Sequence, residues 1–122
     1  MARVAIVDDD RSVLNALARQ LRAIGLEVWP FESGLEFLSA IETDLPDCLL
    51  LDIRMPQVDG VEVLRQVKAD AELKKIPVVM LTTEGQPELI QKAKSLGAKG
   101  WIVKPFRPEL LIAAARKLTL TT

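Results

Sequence analysis

Residues 4–10 read VAIVDDD, a run of four apolar residues that ends in three aspartates. Residues 48–52 repeat this arrangement as CLLLD, with Asp52 directly after the apolar run. A short run that is apolar at every position predicts a strand buried on both faces, as in a parallel sheet. Further apolar runs predict strands at residues 76–81 and 100–103, and residues 27–31, EVWPF, predict another strand.

The segments between the predicted strands are longer, and their apolar residues recur every three or four positions, which predicts amphipathic helices. Asp10 is predicted to cap the first helix and Gly25 to end it. Ser33 and Glu36 have the spacing of a capping box at the start of the second helix. The apolar sides of these two helices comprise Val13, Leu14, Leu17, Leu21 and Ile24, and Leu35, Phe37, Leu38 and Ile41.

This alternation predicts an α/β fold of five strand–helix units in a single domain that spans residues 1–122. The predicted sheet is parallel and covered by helices on both faces. Pro30 places the second strand at an edge, because proline cannot donate a hydrogen bond to a neighbouring strand. Ligands of such sheets bind outside the carboxyl ends of the strands, so the site is expected there.

The composition excludes several classes of function. The chain has 16 basic and 17 acidic residues, so bulk charge does not draw it to nucleic acid. No apolar run approaches the roughly 20 residues of a membrane span, and we expect a cytoplasmic protein without membrane insertion. The single cysteine, Cys48, cannot form an internal disulfide. Because the chain has no histidine, a metal would need oxygen ligands, which favours Mg²⁺.

Polar residues follow four of the predicted strands. Asp8–Asp10 follow the first, Asp52 the third, Thr82 the fourth and Lys104 the fifth. Carboxylates that cluster at one edge either take up protons or bind a cation. A carboxylate beside Mg²⁺, an ammonium group and a hydroxyl can accept a phosphoryl group, whose oxygens these neighbours neutralise. Asp52 is the predicted nucleophile, which would form an aspartyl phosphate.

Five motifs run in order along the chain: VDD at 7–9, DIRMP at 52–56, DG at 59–60, LTTE at 81–84 and GAKGWIVKPF at 97–106. Together they resemble the response-regulator receiver domains of two-component signalling systems. The last motif is most similar to the stand-alone chemotaxis type, the CheY-like proteins. The resemblance implies a flavodoxin-like (βα)5 fold with strand order 2-1-3-4-5, and a switch in signal transduction, with chemotaxis as a candidate pathway.

The resemblance also implies a role for each residue of the acidic site. Asp52 would accept the phosphoryl group from a histidine kinase. Asp9 would bind Mg²⁺ directly and Asp8 largely through water. Asp52 itself and the backbone carbonyl of Arg54 would complete the protein ligands of the metal.

Thr82 and Lys104 are implied to contact the phosphoryl oxygens, and Thr82 and Trp101 to form the switch. Trp101 stands where the family usually has a Tyr or Phe that rotates inward. The implied output face consists of the fourth helix, the fifth strand and the fifth helix, and we expect it to bind a protein with an acidic docking segment. On this hypothesis the chain is not an enzyme, but a phosphoryl acceptor that catalyses its own phosphorylation and dephosphorylation.

Two alternatives from other classes stay open at this point. Asp8–Asp10 also offer the Asp-x-Asp pattern of a haloacid-dehalogenase-type phosphatase, although the cap insertion of that class is missing. A flavodoxin-like ligand-binding module is the second alternative, and it would need a glycine-rich phosphate loop that residues 8–12 do not provide. The sequence is also compatible both with a stand-alone regulator and with the receiver of a longer one.

Overall fold

A computed structural model describes residues 2–41, 45–53, 60–83, 87–104 and 107–119 of the chain. These residues contain five strands that alternate with five α-helices. The strands are β1 (Arg3–Val7), β2 (Glu27–Phe31), β3 (Cys48–Asp52), β4 (Val78–Thr83) and β5 (Gly100–Lys104). The α-helices are α1 (Arg11–Ala23), α2 (Gly34–Ala40), α3 (Gly60–Ala69), α4 (Pro87–Ser95) and α5 (Pro108–Thr119). None of the described helices is long and apolar enough to cross a membrane.

The strands form one parallel sheet in the order β2-β1-β3-β4-β5, which confirms the order that the resemblance implies. β2 lies at one edge of the sheet, as Pro30 predicts. β1 and β3 occupy the interior, and every residue of Val4–Val7 and Cys48–Asp52 is buried. The uninterrupted apolar runs therefore mark the strands that are covered on both faces.

The buried side chains form two clusters, one on each face of the sheet. On one face Val7, Leu51 and Met80 pack with residues of α2, α3 and α4, including Phe37 and Leu64. On the other face Ile6, Leu50 and Leu81 pack with residues of α1 and α5, including Leu17 and Leu111. Alternate residues of each strand thus serve opposite faces, which is the period of two that a strand imposes.

The helix ends follow the predicted chemistry with one difference. Asp10 caps α1, and Gly25 follows the helix with a φ of 91°, a conformation that suits glycine. Ser33 caps α2 by accepting a hydrogen bond from the backbone N–H of Glu36. The Glu36 carboxylate, however, accepts its bond from the N–H of Glu32 instead of that of Ser33. Each side chain still satisfies a backbone donor near the start of the helix.

Two sequence expectations are wrong in detail. The fourth strand begins at Val78 rather than Ile76, because the N–H of Ile76 closes a short 3₁₀ helix (Leu73–Lys75) by donating to Leu73. It also extends one residue beyond Thr82, since Thr83 still pairs with β5.

Leu35 is half exposed although the pattern assigned it to the apolar side of α2. It precedes the buried Phe37 by two positions, which places it on nearly the opposite side of the helix.

Cys48 begins β3 inside the core, and burial raises the pKa of its thiol to about 12. In the unfolded chain a thiol ionises near pH ~8.5, so above that pH the unfolded state loses its proton first. The free energy of unfolding should therefore fall as the pH rises from about 8.5 towards the folded pKa, by up to ~1.4 kcal/mol per pH unit. Below that range the thiol should contribute no pH dependence.

Urea unfolding at several alkaline pH values measures this effect. Cys48→Ala is the control, because it removes the thiol and should remove this part of the pH dependence while lowering stability at every pH. The same alkaline slope in both proteins would contradict the assignment.

Candidate functional site

The register of the sheet brings two aspartates side by side. Val7 of β1 pairs with Leu51 of β3, so Asp8 and Asp52, one residue further along, leave neighbouring strands at the same level. Neighbouring strands are about 4.8 Å apart. The N–H of Asp8 donates to the carbonyl of Phe31, and that of Ile53 to the carbonyl of Leu81. Both strands therefore hold their backbone in place up to the acidic residues.

Asp8, Asp9 and Asp52 form the acidic cluster at this edge of the sheet. Each offers one carboxylate oxygen, and these three oxygens lie within 4.8 Å of one another. Asp8 and Asp52 are buried, with 0% and 5% exposure, whereas Asp9 is exposed. Three converging carboxylate oxygens are a ligand set that suits Mg²⁺, which prefers oxygen and keeps several of its waters. The exposed Asp9 leaves one side of the cluster open to solvent.

Asp10, the third aspartate of the run, has a different task. Its Oδ1 accepts hydrogen bonds from the backbone N–H of Ser12 at 3.0 Å and of Val13 at 3.3 Å, and from the Ser12 hydroxyl at 2.8 Å. Its own N–H donates to Oδ1 of Asp8 at 2.9 Å. The start of α1 thus separates the three aspartates into a cap and two members of the cluster.

Thr82 lies next to this cluster along the sheet. Asp52 pairs with Leu81 of β4, and Thr82 follows Leu81 as a buried residue with 1% exposure. Thr82 in turn pairs with Val103 of β5, and the backbone of Lys104 pairs with Thr83. The sheet therefore carries Asp52, Thr82 and the backbone of Lys104 on three consecutive strands. The Lys104 side chain and Arg54 lie outside the described part of the structure, as does Asp59.

Gly60 is a part of the site whose role the sequence motif did not reveal. Its N–H donates to the carbonyl of Ile53 at 2.7 Å, so the start of α3 rests against the end of β3. A Cβ at this position would lie 1.9 Å from the carbonyl oxygen of Asp52. No side chain fits in that space, and glycine is required for α3 to approach the Asp52 backbone. The DG dipeptide was the available signal, but it indicates only a helix start.

Removal of Asp9 and of Asp10 should have different consequences. Mg²⁺ at 100 times its dissociation constant stabilises a protein by about 2.7 kcal/mol, and Asp9→Ala should lose most of this gain. Asp10→Ala should keep the gain and instead lose about 1 kcal/mol of stability, with or without Mg²⁺, because α1 loses its cap. Urea unfolding with and without Mg²⁺ measures both. Equal loss of the Mg²⁺ response in the two variants would contradict this division of roles.

Comparison with known proteins agrees with this arrangement. The sequence matches the response regulator receiver domain family over residues 4–116. The chain belongs to this family. Receiver domains bind Mg²⁺ at an acidic pocket, are phosphorylated by histidine kinases and regulate output domains. The match favours the receiver domain over the phosphatase and the ligand-binding module as the interpretation of the aspartate run.

Two curated relatives and two solved structures illustrate the family. The receiver domain is 40% identical to the response regulator protein TodT of Pseudomonas putida over 113 residues, 93% of this chain and 49% of that protein. It is 37% identical to the response regulator MprA of Mycobacterium avium over 120 residues, 98% of this chain and 52% of that protein. The chain thus spans about half the length of these curated relatives.

Among solved structures, the chemotaxis response regulator CheY4 of Vibrio cholerae has a TM-score of 0.89 and 36% identity, covering 97% of this chain and 98% of that one. The receiver domain of NtrX from Brucella abortus has a TM-score of 0.90 and 29% identity, covering 98% of this chain and 99% of that one. Both the isolated receiver and the chemotaxis regulator therefore share this fold over nearly their whole lengths.

Proposed function

We propose that this receiver domain takes up a phosphoryl group on Asp52 from a phosphohistidine of its kinase and thereby changes its affinity for an output partner. The observation that carries the proposal is the position of Asp52. It ends the central strand β3, is 5% exposed and offers an oxygen within 4.8 Å of those of Asp8 and Asp9. Asp10 is occupied as the cap of α1, and the proposal assigns Asp8 and Asp9 to the metal, so Asp52 is the proposed acceptor.

In the proposed reaction an oxygen of the Asp52 carboxylate attacks phosphorus. The new O–P bond forms as the P–N bond to the kinase histidine breaks, and the departing nitrogen keeps the electron pair. Bound Mg²⁺ would supply positive charge to the phosphoryl oxygens. Asp8 and Asp9 would hold the metal, together with the carbonyl of Arg54, and the Thr82 hydroxyl would donate to a phosphoryl oxygen. Lys104 would add a second positive charge from the end of β5.

The switch in this proposal runs along the β4–β5 pair. Thr82 pairs with Val103, and Met80, two residues before Thr82, pairs with Trp101. Because alternate residues share a face, Thr82 and Trp101 project to the same side of the sheet. A movement of Thr82 towards a phosphoryl group would therefore change the surroundings of the Trp101 side chain. Trp101 is 41% exposed on the face that we assign to the output partner.

The charge of this output face supports an acidic partner. Between Lys92 and Thr122 the sequence has seven lysines and arginines and a single acidic residue, Glu109. Complementary charge steers encounter and orientation more than it adds affinity, so an acidic docking segment would bind with a salt-dependent association rate. Chemotaxis stays a prediction: TodT and MprA are response regulators, and CheY4 is a chemotaxis response regulator.

Peptide mapping tests the proposed acceptor. The protein is incubated with Mg²⁺ and acetyl phosphate, reduced with borohydride to trap the acyl phosphate, and digested. We expect the modified residue to be Asp52, and no modification in the absence of Mg²⁺. Modification at Asp8 or Asp9, or incorporation that does not depend on Mg²⁺, would overturn the assignment.

A further inference from the structure

Trp101 is a large aromatic residue that stays partly exposed beside the core. It lies on β5 with 41% exposure, while Ile102, the next residue, is buried on the other face of the sheet. Burial of an aromatic side chain is favourable, and that of Trp101 is incomplete. A side chain of α4 contacts the indole in this position.

The ammonium group of Lys94 lies over the indole. Its Nζ is 4.6 Å from the centroid of the Trp101 ring, well inside the range of a cation–π interaction. Lys94 and Trp101 also border a narrow crevice between α4 and β5. Met80, Ile90 and Ala93 form its apolar wall, and it is too narrow to hold a water molecule. The indole thus stands beside an apolar crevice that would have to widen to admit it, while Lys94 contacts its face.

We infer that Lys94 is a positioning residue that holds the indole of Trp101 on the outer surface in the unphosphorylated protein. The regulatory part of this inference rests on the proposed function: phosphorylation at Asp52 would have to break the Lys94–Trp101 contact to draw the indole inward. Loss of a cation–π contact at an exposed site changes a two-state ratio about two- to fivefold. Lys94 would thereby set how readily the switch responds.

Lys92 provides a matched control on the same helix. It lies two residues before Lys94, which is about 200° around an α-helix. It borders the outer face of α4 together with Pro87 and Glu88, and its charge acts on Glu62 of α3. Lys92→Met therefore removes the same charge from the same helix without touching the indole.

Fluorescence of Trp101 tests the inference before any phosphorylation. Trp29→Phe removes the other tryptophan, which has its own cation contact with Arg3 at 5.3 Å. In this background we expect Lys94→Met to lower acrylamide quenching and shift the emission to the blue, as the ratio of outer to inner indole falls about two- to fivefold. Lys94→Arg, which keeps a cation, and Lys92→Met should match the parent.

Quenching of Lys94→Met equal to that of the parent would overturn the inference, as would an equal change in Lys92→Met. If Trp29→Phe does not fold, Lys94→Met and Lys92→Met are compared with the parent in the chain that keeps both tryptophans. Trp29 then adds the same fluorescence background to all three proteins. The result does not depend on whether the protein accepts a phosphoryl group.

Phosphorylation then separates the inference from the proposed function. With Mg²⁺ and acetyl phosphate, mass spectrometry reports incorporation, and its absence in the parent would contradict the proposed function alone. When the parent is phosphorylated, we expect its Trp101 emission to move towards that of Lys94→Met, and the variant to respond less. An equal response of parent and variant would overturn the regulatory role of Lys94.

Discussion

Asp52→Asn is expected to reduce phosphoryl incorporation from acetyl phosphate by several orders of magnitude, to the background of the unreacted protein. The substitution keeps the size of the side chain and replaces the attacking oxygen by an amide, which is no nucleophile. Intact-protein mass spectrometry measures the incorporated fraction over time. Asp10→Asn is the matched control: it removes one negative charge from the same edge, and asparagine still caps α1. It should be phosphorylated at a rate close to that of the parent.

The same pair of variants should also differ in stability. Asp52 is buried beside Asp8, and without Mg²⁺ the two carboxylates repel each other. Asp52→Asn should therefore raise the free energy of unfolding in metal-free buffer, by an amount on the order of 1 kcal/mol. Asp10→Asn should leave it nearly unchanged. Normal incorporation in Asp52→Asn would show that another residue is the acceptor, and lower metal-free stability would contradict the repulsion.

The second large effect is expected from Gly60→Ala. The new methyl group would lie 1.9 Å from the backbone oxygen of Asp52 and within 3 Å of two further backbone atoms, so α3 or the end of β3 must move. Forced overpacking costs about 1–3 kcal/mol and more where the obstacle is backbone, so we expect a loss of roughly 3 kcal/mol or more. Because the displaced atoms belong to Asp52 and Ile53, phosphorylation should also slow.

Gly100→Ala is the control for this prediction. A Cβ at Gly100 meets no atom within 4 Å, and an alanine in a strand is favoured over glycine by up to ~1 kcal/mol. Its stability should match or exceed that of the parent in urea unfolding. Should Gly60→Ala prove as stable as Gly100→Ala, the close approach of α3 to Asp52 would not exist as described. Circular dichroism shows whether Gly60→Ala is folded. Phosphoryl incorporation then shows whether the folded variant has lost the geometry of the site.

Much of the fold follows from local sequence patterns. The apolar runs at Val4–Val7 and Cys48–Leu51 predict interior strands because no polar residue interrupts them, and all of these residues are buried. Pro30 predicts an edge strand because it lacks an N–H, and β2 is at the edge. Asp10 predicts a helix cap because its short side chain can reach the first free N–H groups of α1. Each of these predictions depends on a residue and its immediate neighbours.

The candidate site could be predicted in outline for a related reason. In a parallel sheet every strand ends at the same edge, so the residues after each strand converge whatever their distance in the sequence. That rule predicts that Asp8–Asp10 and Asp52 meet, and the acidic cluster contains Asp8, Asp9 and Asp52. It does not distinguish residues within the run by itself. The division between Asp9 and Asp10 depends on where α1 begins.

Other features depend on contacts between segments that are far apart in the chain, and only the tertiary structure decided them. Gly60 is indispensable because α3 returns to within contact of the Asp52 carbonyl, a distance that no local pattern encodes. The start of β4 at Val78 depends on a bond that Ile76 makes with the preceding 3₁₀ helix. The contact of Lys94 with Trp101 depends on how α4 packs across β5.

Residue type and period determined the strands, the helices and the acidic edge of this protein, because those properties act over a few neighbouring positions. Tertiary packing decided the roles of Gly60 and Lys94 and the start of β4 at Val78. Each depends on how closely two segments approach each other, and that distance is set by the positions of whole helices and strands.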